Sequence, residues 1–318
     1  MRILIVKTSS LGDVIHNLPV VSDIRQHFPE AIIDWCVEDS FADIPRLHPD
    51  VSEIIPVALR RWKKNLLSSQ TRQEIKAFRQ NIAQHSYDLI LDTQGLLKSA
   101  LIVHQARGVK CGYDASSARE PIAARFYDRC FAVPKAAHAV TRNRLLASSA
   151  FGYTAEPEMN FGISAPLTVT DWLPGSPFVV LLTATSRDDK LWPESHWLEL
   201  AKQLRAQGFT AVYPGGSKVE RERAARLAAG QSGAIAAPAM NLPELASVLA
   251  RACAVVGVDT GLSHLAVALN VPTVAIYTAT DPALTGVFGS GFHRNLGGKA
   301  QIPSVQSVLD ALSPVLAQ

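Results

Sequence analysis

Short apolar runs that end in a polar loop and hand over to a helix recur along this chain, and that repetition leaves few folds open. RILIVK (2–7) is followed by the loop KTSS and by VIHNLPVVSDIRQHF (14–28), which has helical periodicity with Pro19 as a local defect. AIIDWCVE (31–38) is the next strand, and VSEIIPV (51–57) follows a short helical segment. Residues 66–85 read as a long polar helix and YDLILDTQG (87–95) as a strand. LLKSALIVHQARG (96–108) reads as a helix ended by glycine, and VKCGYD (109–114) is strand-like. Strand and helix in this order demand a parallel sheet with helices on both faces.

SAPLTVTDWLPGSP (164–177) holds three prolines and no periodicity, so it reads as a linker. Alternation then restarts: PFVVLLTAT, ESHWLELAKQLRAQG, FTAVYPGG, SKVERERAARLAAG, NLPELASVLARA, CAVVGVD, TGLSHLAVALN, VPTVAIYT and a terminal amphipathic helix, SVQSVLDALSPVLAQ. The expected fold is α/β, with two Rossmann-like doubly wound domains over 1–165 and 178–318 facing a central cleft. The last helix is free to pack back on the first domain. Ligand-binding loops belong at the carboxyl ends of the strands.

A length of 318 residues suits two domains, and 47% hydrophobic against 19% charged residues suits large cores. No apolar stretch approaches the ~20 residues that span a bilayer. The first apolar run is too short for a secretory signal, so a cytoplasmic address is expected. Cys36, Cys111, Cys130 and Cys253 are widely spaced, without a CxxC pair, and read as buried thiols in a reducing compartment.

The charge is unevenly spread. Residues 161–318 carry 11 Lys and Arg against 11 Asp and Glu, whereas residues 59–144 carry 16 against 6. Such a basic surface suits an anionic partner (nucleic acid, a phosphorylated substrate or an acidic membrane face), the alternative being a solvated helix face. Its densest part is LRRWKK (59–64), with Arg60, Arg61, Lys63 and Lys64 around Trp62, and Arg119, Arg125 and Arg129 extend it. No nucleic-acid motif surrounds it, which points to a clamp for a phosphorylated or carboxylated acceptor.

Several chemistries lose ground at once. There is no GxGxxG; in GSGFHR (289–294) Arg294 takes the third glycine position. A GxxxxGK[ST] loop and a GxSxG elbow are also missing. The nine histidines lack zinc-site spacing, so no protein-built zinc site is expected, and none of these motifs calls for a cofactor.

The strongest positive signal is CAVVGVDTGLSHLAVALNVPTVAIY (253–277). A buried strand ends in Asp259-Thr260-Gly261 and a helix starts at once. Either Asp259 or Thr260 can cap that helix, its first-turn amides suit a phosphate, and Gly261 permits close approach. His264 lies one turn further on. LLTATSRDDKLWPESHW (181–197) offers the hydroxyls of Thr185 and Ser186 and the charge of Lys190 to a diphosphate. In YPGGSKVERE (213–222), Glu220 suits either ribose hydroxyls or the start of its own helix.

KTSSLGDVIHNLP (7–19) places Asp13 just after the first strand. A carboxylate there can cap the following helix or, facing a nucleotide site, serve as a general base.

KTSSLGDVIHNLP, TSRDDKLWP and VDTGLSHLA, in that order, resemble the bacterial lipopolysaccharide heptosyltransferases over nearly the whole chain. The resemblance implies the GT-B glycosyltransferase fold and metal-independent, inverting transfer of L-glycero-D-manno-heptose from ADP-heptose to the first Kdo of Kdo2-lipid A. It makes Asp13 the base. Lys190 and Thr260-Gly261 would hold the diphosphate, with His264 near it. Glu220 would hold the ribose, Met240 the adenine and Asp259 the heptose hydroxyls. Ser10, Gly12, Arg60, Arg61, Lys63, Lys64 and Arg119 would receive the acceptor. It also implies peripheral contact with the cytoplasmic face of the inner membrane. The alternatives are transfer to an already heptosylated Kdo2-lipid A and, in another class, nucleotide binding without transfer.

Overall fold

The computed structural model describes residues 1–168 and 170–317; Val169 and Gln318, at which the linker and terminal-helix readings also fall, lie outside the described residues. The chain divides into two compact units, Met1–Ile163 and Ser164–Gln318.

The first unit runs β1 (Arg2–Val6), α1 (Leu11–Ile15), α2 (Leu18–His27), β2 (Ile32–Glu38), α3 (Asp43–Arg46), β3 (Val51–Val57), α4 (Leu59–Lys64), α5 (Ser69–Ile82), β4 (Ser86–Asp92), α6 (Leu97–Val103), β5 (Arg107–Tyr113), β6 (Arg129–Phe131) and α7 (Ala139–Phe151). Its six strands lie parallel in the order β3-β2-β1-β4-β5-β6. The strand order therefore reverses between β1 and β4. Leu4, Val6, Cys36, Ile55 and Ile90 fill the core on one face with Trp62, Phe78 and Tyr127.

Local chemistry moved several expected boundaries. The helix expected over 14–28 is two helices, because Asn17 is an N-cap and Pro19 falls in the first turn of α2, where a missing N–H costs nothing. The polar helix expected over 66–85 starts at Ser69, and LRRWKK is a helix of its own. The helix expected to end at Gly108 ends at Val103. Gly108 sits inside β5 at φ +149°, where a Cβ would lie 2.1 Å from the Tyr87 carbonyl oxygen. Cys36 and Cys111 are buried as expected, but Cys130 and Cys253 are exposed.

Two polar devices lock the far end of this unit. Arg144 on α7 meets Asp23 on α2 through Nε–Oδ2 (2.7 Å) and Nη2–Oδ1 (2.9 Å), and also donates to the carbonyls of Glu156 and Glu158. This buried fork satisfies both charges and ties the segment after α7 to the sheet layer. Nearby, the Asp50 N–H donates to His48 Nδ1 (3.2 Å), so Nε2 carries the proton and donates to Ser22 Oγ (3.0 Å). Gly162 lies against the imidazole at φ +67°, where a Cβ would meet Nε2 at 2.1 Å.

Burial pulls the His48 pKa from 6.5 to about 4, with Asp50 opposing and Arg25 assisting. The folded state thus resists a proton that the unfolded chain accepts. The resulting stability is complete above the unfolded pKa near 6.5 and is lost as pH falls toward about 4. His48→Gln should therefore flatten the pH dependence. Urea titrations from neutral pH to about pH 4 should show wild type losing about 3 kcal/mol relative to the variant, from a shift of 6.5 to about 4. A constant difference across that range would refute the assignment.

The second unit runs β7 (Phe178–Leu182), α8 (Glu194–Ala206), β8 (Thr210–Tyr213), α9 (Lys218–Ala229), β9 (Ile235–Ala236), α10 (Leu242–Ala250), β10 (Ala254–Val258), α11 (Gly261–Ala268), β11 (Thr273–Tyr277), α12 (Pro282–Thr285), β12 (His293–Gly297) and α13 (Val305–Leu316). Its strands are also all parallel, in the order β12-β11-β10-β7-β8-β9, with the reversal between β10 and β7. Trp192 and Trp197 pack edge to face at 4.8 Å in its core. The terminal helix, which the sequence left free to pack on the first domain, belongs to this same core through Val308 and Leu312.

Candidate active site

In a doubly wound sheet the loops leaving the two strands on either side of the order reversal diverge, and the crevice between them receives ligands. In the first sheet those strands are β1 and β4. The loop after β1, Lys7 to Ser10, is braced by the loop after β4. Gln94 Oε1 accepts the N–H groups of Thr8 (3.0 Å) and Ser9 (3.2 Å), and Gln94 Nε2 donates to the Ser9 carbonyl (2.7 Å). From the other side the Trp35 indole N–H donates to the Lys7 carbonyl (3.1 Å). Asp92 holds Gln94 in turn by accepting its N–H (2.8 Å), and takes the Tyr127 hydroxyl on its other oxygen (2.8 Å). Burial raises the Asp92 pKa, and these donors counter it.

Asp13 stands at the end of this braced loop, in the first turn of α1. Its Oδ2 accepts both the N–H (2.9 Å) and the hydroxyl (2.8 Å) of Ser10. The capping role is thus real, but it is taken from the third helical position, and it engages Oδ2. Ser10 and Gly12 share the same turn.

Two lysines flank the carboxylate. Lys7 is buried and donates to the Thr93 carbonyl (2.7 Å). Burial lowers its pKa, with the charges of Asp13 and Asp92 opposing. Lys98 donates to Ser9 Oγ (2.8 Å). Partial burial lowers its pKa, and Glu38, Arg60, Asp13 and Arg119 all lie within electrostatic reach of it. Lys98 therefore shares its electrostatic surroundings with Asp13, Arg60 and Arg119.

The rest of the basic stretch divides. Arg61 is ion-paired to Glu74 and Asp39, so it is less available to an acceptor than expected. Arg60, Lys63 and Lys64 are exposed, and the Arg60 guanidinium lies over the Phe41 ring at 5.0 Å. Arg119, Arg125 and Arg129 are exposed as well.

In the second sheet the strands at the reversal are β7 and β10. The loop after β7 carries Thr185, Ser186 and Lys190; the one after β10 carries Asp259 and Thr260. Lys190 Nζ meets Asp259 Oδ2 at 2.7 Å, and the Thr280 hydroxyl donates to the same oxygen at 2.6 Å. Thr185 Oγ1 donates to the Asp259 carbonyl (2.9 Å), which pins the two loops together. Thr260 is the N-cap of α11 in extended conformation, and its hydroxyl makes no capping bond. The first turn is instead tied down by Ser263, whose hydroxyl donates to the Val258 carbonyl (2.9 Å). Gly257 makes room for that bond: a Cβ there would lie 2.3 Å from Ser263 Oγ. His264 is buried on α11, and Ser186 is exposed.

Glu220 stands in the first turn of α9 and Met240 in the loop before α10. Glu220 Oε2 accepts the N–H groups of Gly216 (2.9 Å) and Ser217 (2.8 Å), while its own N–H donates to Ser217 Oγ (3.2 Å). This is a complete capping box for α9. Of the two readings open for Glu220, the helix start is therefore the one seen in its hydrogen bonds. Met240 is half-buried just before Asn241, the N-cap of α10.

The sequence reading missed Lys98, Gln94, Asp92 and Thr280. Asp92 and Gln94 end or follow β4, where a strand reading carried to residue 95 hid the loop, and Lys98 lies in the first turn of α6. Among the described residues no group of three or more His, Cys, Asp or Glu is placed to hold a metal ion.

Known proteins resemble this chain in sequence and in fold. The sequence model of "Glycosyltransferase family 9 (heptosyltransferase)" matches residues 75–308. Lipopolysaccharide heptosyltransferase 1 of Pseudomonas aeruginosa is 45% identical over 91% of this chain and 82% of its own. The fold superposes on the Escherichia coli heptosyltransferase WaaC, solved with ADP, at a TM-score of 0.91 and 42% identity, covering 99% of both chains. Lipopolysaccharide heptosyltransferase 2 of Salmonella typhimurium is more distant, at 26% identity over 98% of this chain and 94% of its own. Matched over most of its length by the family's own pattern and by a heptosyltransferase at 45% identity, the chain belongs to glycosyltransferase family 9, the heptosyltransferases.

Proposed function

We propose that this glycosyltransferase moves L-glycero-D-manno-heptose from ADP-heptose to the first Kdo of Kdo2-lipid A, inverting the anomeric carbon and working in peripheral contact with the cytoplasmic face of the inner membrane. The observation that carries the reading is the Lys190–Asp259 pair, held at the order reversal of the second sheet beside the N-terminus of α11. Facing partners set at 2.7 Å and pinned by Thr185 and Thr280 form a preorganised polar site for a charged ligand. A second member of the comparison supports the donor: WaaC has also been solved with ADP-2-deoxy-2-fluoro heptose, at a TM-score of 0.89 and 41% identity over 99% of both chains.

In this mechanism the acceptor hydroxyl oxygen bonds the anomeric carbon of heptose as the bond from that carbon to the diphosphate oxygen breaks. The electron pair leaves with ADP, and the hydroxyl proton passes to Asp13. Lys190 and the first-turn amides of α11 at Thr260-Gly261 offset the charge growing on the departing diphosphate, with His264 and the hydroxyls of Thr185 and Ser186 nearby. Donor binding draws Lys190 toward phosphate and leaves Asp259 to take heptose hydroxyls. Glu220 keeps one carboxylate oxygen for the ribose, and Met240 lies against adenine. Arg60, Lys63, Lys64, Lys98 and Arg119 receive the acceptor's phosphates and carboxylates, with Ser10 and Gly12 beside the reacting hydroxyl. Because fixed cations and amides meet the leaving charge, turnover is expected to persist in EDTA.

The test is ADP release from ADP-heptose with Kdo2-lipid A, and separately with its heptosylated product, as acceptor. Turnover with Kdo2-lipid A alone is expected. Turnover only with the heptosylated lipid would move the enzyme one transfer later, and no release with either would overturn the acceptor reading.

A further inference from the structure

Leu66 and Leu67 are 58% and 90% exposed, the highest values among the large apolar side chains of the first unit's described residues. They stand next to each other in the turn between α4 and α5, and every residue from 63 to 70 is exposed. A single exposed leucine is ordinary, but two adjacent ones on one turn make a contiguous apolar tip, and contiguous apolar surface marks interaction sites.

The turn that carries them is built. Beneath it the Trp62 indole is buried, edge-on to Phe78 with centroids 5.7 Å apart, and its N–H donates to Glu74 Oε2 (2.7 Å). The Asn65 N–H closes on the Trp62 carbonyl (3.0 Å) and the Ser68 N–H on the Asn65 carbonyl (3.1 Å). The Arg72 guanidinium donates to the Leu67 carbonyl (3.2 Å). The two leucines are thus presented outward on a hydrogen-bonded backbone, which leaves chiefly side-chain ordering to do when they meet a partner.

Their surroundings say what that partner is. Residues 59–82 hold seven Lys and Arg against one acid, Glu74, which is already engaged by Arg61 and Trp62. Arg60, Lys63 and Lys64 precede the leucines, and Arg72, Lys76 and Arg79 follow them, all exposed. A convex apolar tip ringed by cations complements a layer of anionic headgroups above a hydrocarbon interior. One apolar signal alone gives marginal, reversible binding, and pairing it with a polybasic one is what makes peripheral anchoring stable. Among the described residues no helix is long and apolar enough to cross a membrane, so such contact would be peripheral.

We propose that the Leu66-Leu67 turn inserts between the lipids of an anionic membrane, with the α4 and α5 cations against the headgroups. This deepens, and rests on, the peripheral membrane contact in the proposed function.

The test is co-sedimentation of the full chain with vesicles of phosphatidylethanolamine and phosphatidylglycerol, against vesicles of phosphatidylcholine alone. Wild type should bind the anionic vesicles, and binding should weaken with added salt. The double variant L66S/L67S should partition roughly 10- to 100-fold more weakly, the loss set by two half-inserted leucine side chains. Its turnover with an acceptor stripped of acyl chains should match wild type, which shows that folding and the active site are intact. Equal partitioning of variant and wild type would overturn the insertion proposal while leaving the peripheral reading in place. Failure of wild type to bind anionic vesicles would overturn both. Equal binding to phosphatidylcholine would overturn the role given to the cations.

Discussion

Asp13→Asn is expected to lower turnover by about 10²- to 10⁴-fold, the usual contribution of a positioned general base. Asparagine is the informative replacement because the proposed base also caps α1. Its Oδ2 accepts two bonds from Ser10, and a carbonyl oxygen can still accept them, so the start of α1 is preserved. What the amide cannot do is take a proton. Asp13→Ala removes both functions, and the cap alone costs about 0.5–2 kcal/mol of stability. Comparing the two variants therefore separates base from cap: equal loss of turnover, with a lower melting temperature only in Asp13→Ala, is the expected pattern. ADP affinity should stay at the wild-type value in both, because the donor groups belong to the second unit. Retained turnover in Asp13→Asn would remove Asp13 from the reaction.

The two carboxylates with divided roles show how much of this site was legible beforehand. Ser10 with Asp13, and Ser217 with Glu220, each carry the three-residue spacing of a capping box, so local hydrogen bonding was written in the sequence. The placement of Asp13, Lys190 and Asp259 was legible for another reason: strand–loop–helix order fixes which loops reach the carboxyl end of a parallel sheet. The partners of these residues were not. Gln94 braces Ser9 from 85 positions away and Thr280 reaches Asp259 from 21 away. Such contacts depend on which strands become neighbours, and the order β1-β4 is a tertiary outcome.

Short elements were lost for a related reason. The six residues of α4 are too few for helical periodicity to register, so their cations read as a clamp with no element assigned to it. The helical setting changes their meaning. It turns Trp62 inward onto Phe78 and sends Arg61 to Glu74 and Asp39, leaving Arg60, Lys63 and Lys64 outward. Likewise β6, three residues long at the sheet edge, left no pattern, and α7 carries its buried polar residues Asn143 and Arg144 where an apolar stripe would be expected. Those polar groups are buried because each is satisfied, Arg144 by Asp23 and two carbonyls, Asn143 by Tyr113 and the His16 carbonyl.

Lys190→Met is expected to reduce kcat/KM by about 10²- to 10³-fold, the scale for removing one preorganised donor to a developing charge. The 2.7 Å pair with Asp259 makes a second explanation available, since the lysine could act only by holding Asp259 in place. A double-mutant cycle distinguishes them. If Lys190 serves only to orient Asp259, adding Lys190→Met to Asp259→Asn changes nothing further. If it meets the diphosphate itself, the double variant is slower than either single one, and ADP affinity falls in Lys190→Met but much less in Asp259→Asn. The latter is expected, because Thr280 and Thr185 already fix the Asp259 loop without the lysine. Lys190→Arg should recover only part of the loss: it restores the charge, but its planar fork cannot replace a compact ammonium between a carboxylate and a phosphate. Calorimetric titration with ADP at two salt concentrations completes the argument. A direct phosphate contact predicts weaker salt dependence in Lys190→Met than in wild type, whereas an unchanged dependence and unchanged affinity would confine Lys190 to a structural role.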